Sequence, residues 1–170
     1  TWIARALDIG AEGIMVPMVQ TKEQAEHLAE SCRYPGIGRR GAAFGFAQCD
    51  YKDGVVAEKI QRYNERTLMI AQIETEHGLD NVDAIAAVDG IDVLWVGHFD
   101  LSNFMGIPAQ FDHPDFVKAM THVAKVARKH GKIAGFMATD MAWIKKAKDM
   151  GYTMIAGGTD TGLLQQSFKK

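Results

Sequence analysis

The sequence predicts an α/β fold, built of βα units around a parallel sheet. Three observations carry that expectation. Short apolar runs alternate with stretches of helical periodicity. The apolar runs are nearly continuous, as in parallel strands covered by helices on both faces, rather than alternating with polar residues. The segments between them carry helix start and stop signals. The chain has 170 residues, 47% apolar and 24% charged, which is enough for one domain with a buried core and too apolar for disorder.

The elements follow in order. Ile3, Ala6 and Leu7 form a short helical stripe that ends at Asp8, whose default role is a solvated helix-end charge. Residues 13–18 (GIMVPM) make the first strand candidate. Thr21 and Gln24 form a capping box ahead of Ala25, Leu28, Ala29 and Cys32. Residues 34–53 (YPGIGRRGAAFGFAQCDYKD) are rich in glycine and lack periodicity, and a loop that long inside a compact domain is usually functional. Within it, Arg39 and Arg40 read as surface charges. Residues 67–74 (TLMIAQIE) make a second strand. Asp80 is the candidate cap of a short helix with Val82, Ile85 and Ala86 inward, closed by Gly90. Residues 92–97 (DVLWVG) form a third strand. Asp112 precedes a longer helix with Pro114 in its first turn and Phe116, Met120, Val123 and Ala127 on one stripe. Its last turn carries Arg128, Lys129 and His130, and Gly131 ends it. Residues 132–138 (KIAGFMA) are a fourth strand, Thr139 or Asp140 opens a helix that stops at Gly151, and residues 152–158 (YTMIAGG) are a fifth. Five strands suit a doubly wound sheet, whereas a closed (β/α)₈ barrel needs eight and about 250 residues.

Composition excludes several functions. The formal net charge of −2 argues against nucleic acid or an anionic membrane as the main partner. No apolar run reaches the roughly 18–20 residues that span a bilayer. No signal peptide is visible, and the first residue is Thr1 rather than methionine. Cys32 and Cys49 make neither a disulfide framework nor a metal-type spacing, so they read as reduced thiols of a cytoplasmic protein.

The chemistry concentrates at two strand ends. Alternation places Gln72 and Glu74 on one face at the C-terminal end of their strand, the end that holds the active site in both α/β architectures. One βα repeat later, LWVGHFDLS (residues 94–102) ends its strand with Gly97, His98, Phe99 and Asp100. Adjacent strands thus present Glu74 and Asp100 at one rim. Two carboxylates alone repel, and a hard cation such as Mg²⁺ or Mn²⁺ relieves that repulsion. Two structural roles compete: Glu74 as the cap of the turn at residues 76–78, and Asp100 as the cap of a helix from Leu101. His98 reads as a loop residue rather than a ligand, and His27, His122 and His130 as surface residues of helices.

At these residues the chain resembles the metal-dependent pyruvate aldolases of the HpcH/HpaI type, which include 4-hydroxy-2-oxoheptanedioate aldolase and the 2-keto-3-deoxy sugar-acid aldolases. The segments ALDIGAEGIMVPMVQTKEQA, RYPGIGRRG, QIETEHGLDNVDAIAAVDGID, VGHFDLSNFMG, HPDF and GGTDTGLL carry the likeness, in the family's order and spacing. It implies that residues 1–170 are the C-terminal part of a single (β/α)₈ TIM-barrel domain, about five βα units with the first three missing. It implies Glu74 and Asp100 as metal ligands, with Mg²⁺ or Mn²⁺ as the ion and Co²⁺ as a further candidate. Gln72 and Asp100 match substrate-contacting positions. Phe99 stands where backbone meets the pyruvate carboxylate. Asp8 matches a catalytic aspartate that raises the basicity of the family's histidine.

The implied reaction is cleavage or formation of a 4-hydroxy-2-oxo acid through a pyruvate enolate stabilised by the cation. The partners are then a small 2-oxo acid and an aldehyde, with neither nucleic acid nor membrane, in a homo-oligomer that is a hexamer in the family. No lysine is assigned as a Schiff base. Two departures stand out. The family motif VGPADLS reads VGHFDLS here, which bears on the aldehyde taken. The family's catalytic histidine and pyruvate-binding arginine lie N-terminal to the position of Thr1, so the chain by itself is expected to be inactive or weakly active. The alternatives are a malyl- or citramalyl-thioester lyase of the same superfamily, or a non-catalytic barrel fragment acting as an assembly module.

Overall fold

The computed structural model describes residues 2–138 and 140–169. Thr1 and the candidate cap Thr139 lie outside them. All five expected strands form: β1 (Gly13–Val16), β2 (Leu68–Ile73), β3 (Val93–Val96), β4 (Ile133–Met137) and β5 (Met154–Ala156). They make one sheet in the order β1-β2-β3-β4-β5, with every neighbouring pair parallel. This order decides between the two architectures. It never reverses, so the sheet has no topological switch point and is not doubly wound. Right-handed crossovers in one direction carry the helices to a single face, as in the wall of a barrel.

The helices are α1 (Trp2–Asp8), α2 (Lys22–Cys32), α3 (Val56–Arg66), α4 (Glu76–Asp80), α5 (Val82–Ala86), α6 (His98–Phe104), α7 (Pro114–Lys129), α8 (Met141–Met150) and α9 (Asp160–Phe168). The Thr21–Gln24 capping box of α2 is present in both directions. Asp80 is not a cap. It ends α4, and Asn81 precedes α5. Thr75, not Glu74, caps α4 by accepting from the Gly78 N–H, which leaves the Glu74 carboxylate for other partners. Asp140 caps α8, accepting from Trp143 N at 2.8 Å. Asp140→Ala is expected to lower stability by about 0.5–2 kcal/mol. Chemical denaturation checks this, and an unchanged midpoint would contradict the cap.

One apolar cluster joins the helix layer to the sheet. Met69, Ala71 and Ile73 of β2, Leu94 and Val96 of β3, and Phe136 of β4 all face it, meeting Phe116, Met120 and Val123 of α7. The other sheet face carries Met15, Ile70, Gln72, Val93, Trp95 and Met137, and among the described residues no helix packs a core cluster against it. Met15 is 41% exposed there. The expectation of helix cover on both faces therefore needs correcting. The strands read as continuous apolar runs because their second face is also apolar, not because helices bury it. Gly135 belongs to that face, and an added Cβ would lie 3.1 Å from Trp95 Cζ3, so the indole occupies the space of the missing side chain.

Residues 34–53 contain a 3₁₀ turn (Ala47–Cys49) and build a second, smaller core from Tyr34, Cys49 and Tyr63. The preceding residue, Arg33, donates to Thr67 O at 2.8 Å, just ahead of β2, so the long segment leaves α2 at the N-terminal end of the sheet. Both cysteines are free and buried, and burial pushes the Cys32 thiol up to about 12. No helix among the described residues is long and apolar enough to cross a membrane.

Candidate active site at the C-terminal rim

β2 and β3 run in register from Ile70↔Val93 to Ile73↔Val96, so Glu74 and Gly97 leave the sheet side by side. The Gly97 N–H donates to Ile73 O at 3.2 Å, continuing the ladder. Glu74 is only 3% exposed. Its Oε1 accepts from the Met18 backbone N–H at 2.8 Å, and its Oε2 accepts from the Gln72 side-chain amide. Alternation along the strand brings Gln72 and Glu74 to the same face, and the structure adds contact between them.

Two residues that make this possible were not singled out in the sequence. Met18 has φ +56°, the left-handed region that non-glycine residues seldom enter, and in that conformation its N–H meets the carboxylate. No local pattern signals it. Gly97 has φ −81°, so no backbone conformation demands glycine. Space does. An added Cβ would lie 2.7 Å from Gln72 Nε2, 2.8 Å from Glu74 Cβ and closer still to Glu74 Oε2.

Gly97 is also the N-cap of α6, and it supplies no side-chain cap. The first N–H groups of that helix, including those of Phe99 and Asp100, therefore have no acceptor within the helix. Asp100 lies inside the first turn and is exposed, so a helix starting at Leu101 with Asp100 as its cap is not what forms. Phe99 is 51% exposed. Among the described residues no group of three or more His, Cys, Asp or Glu side chains could hold a metal, so any cation at this rim depends on carboxylates plus non-protein oxygens.

Asp8 stands elsewhere. It ends α1, ahead of β1, at the N-terminal end of the sheet, and accepts from Arg40 Nη2 at 2.7 Å and Nε at 3.2 Å. Arg40 is only 4% exposed, with its guanidinium 4.7 Å from the Tyr34 ring centroid. The surface reading holds for Arg39, which pairs with Glu30, and fails for Arg40, because the long segment folds back over it.

His98 is buried in an aromatic nest, its ring centroid 4.7 Å from Phe99, 5.1 Å from Phe111 and 5.2 Å from Phe136. Its Nε2 has no hydrogen-bond partner among the described residues. Burial holds its pKa below the ordinary imidazole value, opposed in part by the Asp100 charge. Above about pH 6.5 the folded and unfolded chains both keep it neutral. As pH falls through that unfolded value, the unfolded chain takes up a proton that the folded chain resists. Stability therefore falls until the depressed folded value is reached. His98→Phe is expected to abolish this acid-side loss and to remove an unsatisfied nitrogen worth about 1–3 kcal/mol. Urea unfolding at about pH 7.5 and about pH 5.5 measures it, and equal pH dependence in both proteins would contradict it.

Residues 1–167 match the HpcH/HpaI aldolase/citrate lyase family. Over 168 residues the chain is 38% identical to a 5-keto-4-deoxy-D-glucarate aldolase of Shigella boydii, covering 99% of this chain and 65% of that protein. The chain thus spans about 65% of the length of the curated relatives it matches. The crystal structure of an HpcH/HpaI aldolase from Desulfitobacterium hafniense superposes with a TM-score of 0.92 at 34% identity, over 98% of this chain and 64% of that one. An HpcH/HpaI aldolase/citrate lyase family protein from Burkholderia cenocepacia gives a TM-score of 0.90 at 31% identity, over 98% of this chain and 66% of that one. The five parallel strands and their helices are therefore a portion of that barrel.

Proposed function

The chain belongs to the HpcH/HpaI aldolase/citrate lyase family, and from that premise we propose that it carries the cation-binding and pyruvate-orienting part of a divalent-metal-dependent aldolase. Residues 1–170 would form the C-terminal part of one barrel domain. The reaction is reversible cleavage of a 4-hydroxy-2-oxo acid to pyruvate and an aldehyde. One observation carries the reading: a buried carboxylate, Glu74, is fixed by the Met18 N–H and the Gln72 amide at the C-terminal rim, beside the glycine that opens the helix bearing Asp100.

The donor set suits a hard cation. Each Glu74 oxygen spends one lone pair on a protein donor and keeps another, and Asp100 is open to solvent. Carboxylate oxygens completed by water and substrate suit Mg²⁺ or Mn²⁺, with Co²⁺ a further candidate. When bound, the cation supplies Lewis-acid polarisation of the 2-oxo group. The chain's own residues position the substrate. Gln72, tied to Glu74 by one N–H, keeps its other N–H to donate to a substrate oxygen and its amide oxygen to accept from a substrate hydroxyl. The Phe99 N–H, in the uncapped first turn of α6, donates to the pyruvate carboxylate. The base for the 4-hydroxyl proton and a cationic partner for that carboxylate are not assigned within these residues. Asp8, half-exposed and bonded to Arg40 through Oδ1 only, would raise the basicity of a histidine base supplied from outside these residues. Assembly of several copies is part of the proposal, supported by α9, which has no buried residue and exposes Leu163, Leu164 and Phe168.

The test joins this chain to the part of a relative's chain that the match leaves uncovered, and measures pyruvate release from 4-hydroxy-2-oxo acids. Cation-dependent release by the fusion and none by the 170-residue chain is expected. Equal release by the chain alone would place the base inside it. Release only from malyl or citramalyl thioesters would move the assignment to the thioester lyases, and no release at all would favour an assembly module.

A further inference from the structure

Far from that rim, a cavity of about 410 Å³ opens between the C-terminal halves of α7 and α8 at the N-terminal end of β4 and β5. Three cations line it: Arg128, Lys132 and Lys148. No acidic side chain does. Ala124, Ala127 and Ala134 give it a small-residue wall, and Thr153 adds a hydroxyl.

The charges here run against the sign of the whole chain, whose net charge is −2. They also run against their own neighbours. Lys129 and His130 both reach Asp83, at 2.6 and 3.1 Å, so that acid is already engaged outside the hollow. The side chains of Arg128 and Lys148 have no ion pair or hydrogen bond among the described residues, and the Lys132 ammonium donates only to the Val88 carbonyl, at 3.4 Å. The guanidinium of Arg128 lies against Gly151, where an added Cβ would come within 2.8 Å of Nη2. The glycine that ends α8 therefore also makes room for the Arg128 head. Helix C-termini do attract cations, and that accounts for part of the placement of Arg128 and Lys148. It does not account for Lys132, which follows its helix, or for three like charges lining one hollow.

We propose that this cavity binds a phosphate group, either free or as the monoester of a small metabolite. A phosphate carries about −1.5 to −2 charge near neutral pH, which three cations match better than they match one carboxylate. The arginine fork fits phosphate oxygens in pairs, and the lysines add point charges. The volume exceeds what inorganic phosphate fills, which favours the monoester.

Titration of the 170-residue chain with inorganic phosphate, glycerol 3-phosphate and malonate, each at constant ionic strength, tests this. The expected order is glycerol 3-phosphate tighter than phosphate, and phosphate tighter than malonate. Arg128→Gln and Lys148→Gln should each weaken phosphate binding about ten-fold. Lys129→Gln removes the same charge from the same helix and should leave binding unchanged. Equal loss in Lys129→Gln would reduce the effect to general electrostatics and overturn the site. So would malonate binding as tight as phosphate, or no saturable binding. Because the C-terminal halves of α7 and α8 lie at the opposite end of the sheet from Glu74 and Asp100, cation binding at the rim stands or falls separately.

Discussion

Replacing Glu74 by glutamine is expected to lower Mn²⁺ affinity at least about ten-fold, the scale on which even outer-shell changes act at metal sites. It should also destabilise the fold. The carboxylate now accepts from two donors, the Met18 N–H and the Gln72 amide. A carboxamide has one oxygen, so its NH₂ must face one of those donors and leave it unpaired in a buried place, at about 1–3 kcal/mol. Asp100→Asn should separate the two effects. Asp100 is exposed, so its loss should weaken cation binding by a similar factor with little change in stability. Manganese titration with urea unfolding reads both quantities. Undiminished affinity in both variants would end the assignment of this rim as a cation site.

Gly97→Ala should damage the fold and the candidate site together. The backbone at φ −81° accepts alanine without strain, so the whole effect is steric. The new methyl would sit 2.7 Å from Gln72 Nε2, inside contact distance of the Glu74 carboxylate as well. Either the strand ends part or the Glu74 side chain swings away. Overpacking of this kind costs about 1–3 kcal/mol. If Glu74 moves, cation affinity should fall together with stability. A variant as stable as the parent and equal to it in manganese binding would show that the close approach does not exist. Bulk is accommodated two residues later, at Phe99, whose half-exposed ring packs on His98 and Phe111.

Much of this architecture was legible in the residues. All five strands and the α2 capping box are legible, and the α8 cap narrows to Thr139 or Asp140, because apolar runs and capping side chains act within a few neighbouring residues. Asp80 was misread as a cap because Asp, Asn and Thr are all good caps. Which of the closely spaced Thr75, Asp80 and Asn81 does the capping depends on where α4 and α5 break. Arg40 was read as a surface charge for a similar reason. Its burial arises only when residues 34–53 fold back onto α1 and bring it to Asp8, 32 positions away in sequence.

The candidate site divides along the same line. Period-two alternation alone put Gln72 and Glu74 on one face at a strand end, and repeat length put Asp100 one βα unit further on. The strand composition alone could not choose between a doubly wound sheet and a barrel wall, since both need apolar parallel strands. The unreversed strand order decided that. The left-handed turn at Met18, the room left by Gly97 and the cation-lined hollow between α7 and α8 also came only from the folded chain. Periodicity and capping are local, set by a side chain and its neighbours within a turn or a strand. Strand order, the approach of one strand end to another and the meeting of charges from separate helices depend on contacts between distant residues. Those contacts exist only once packing has brought the segments together.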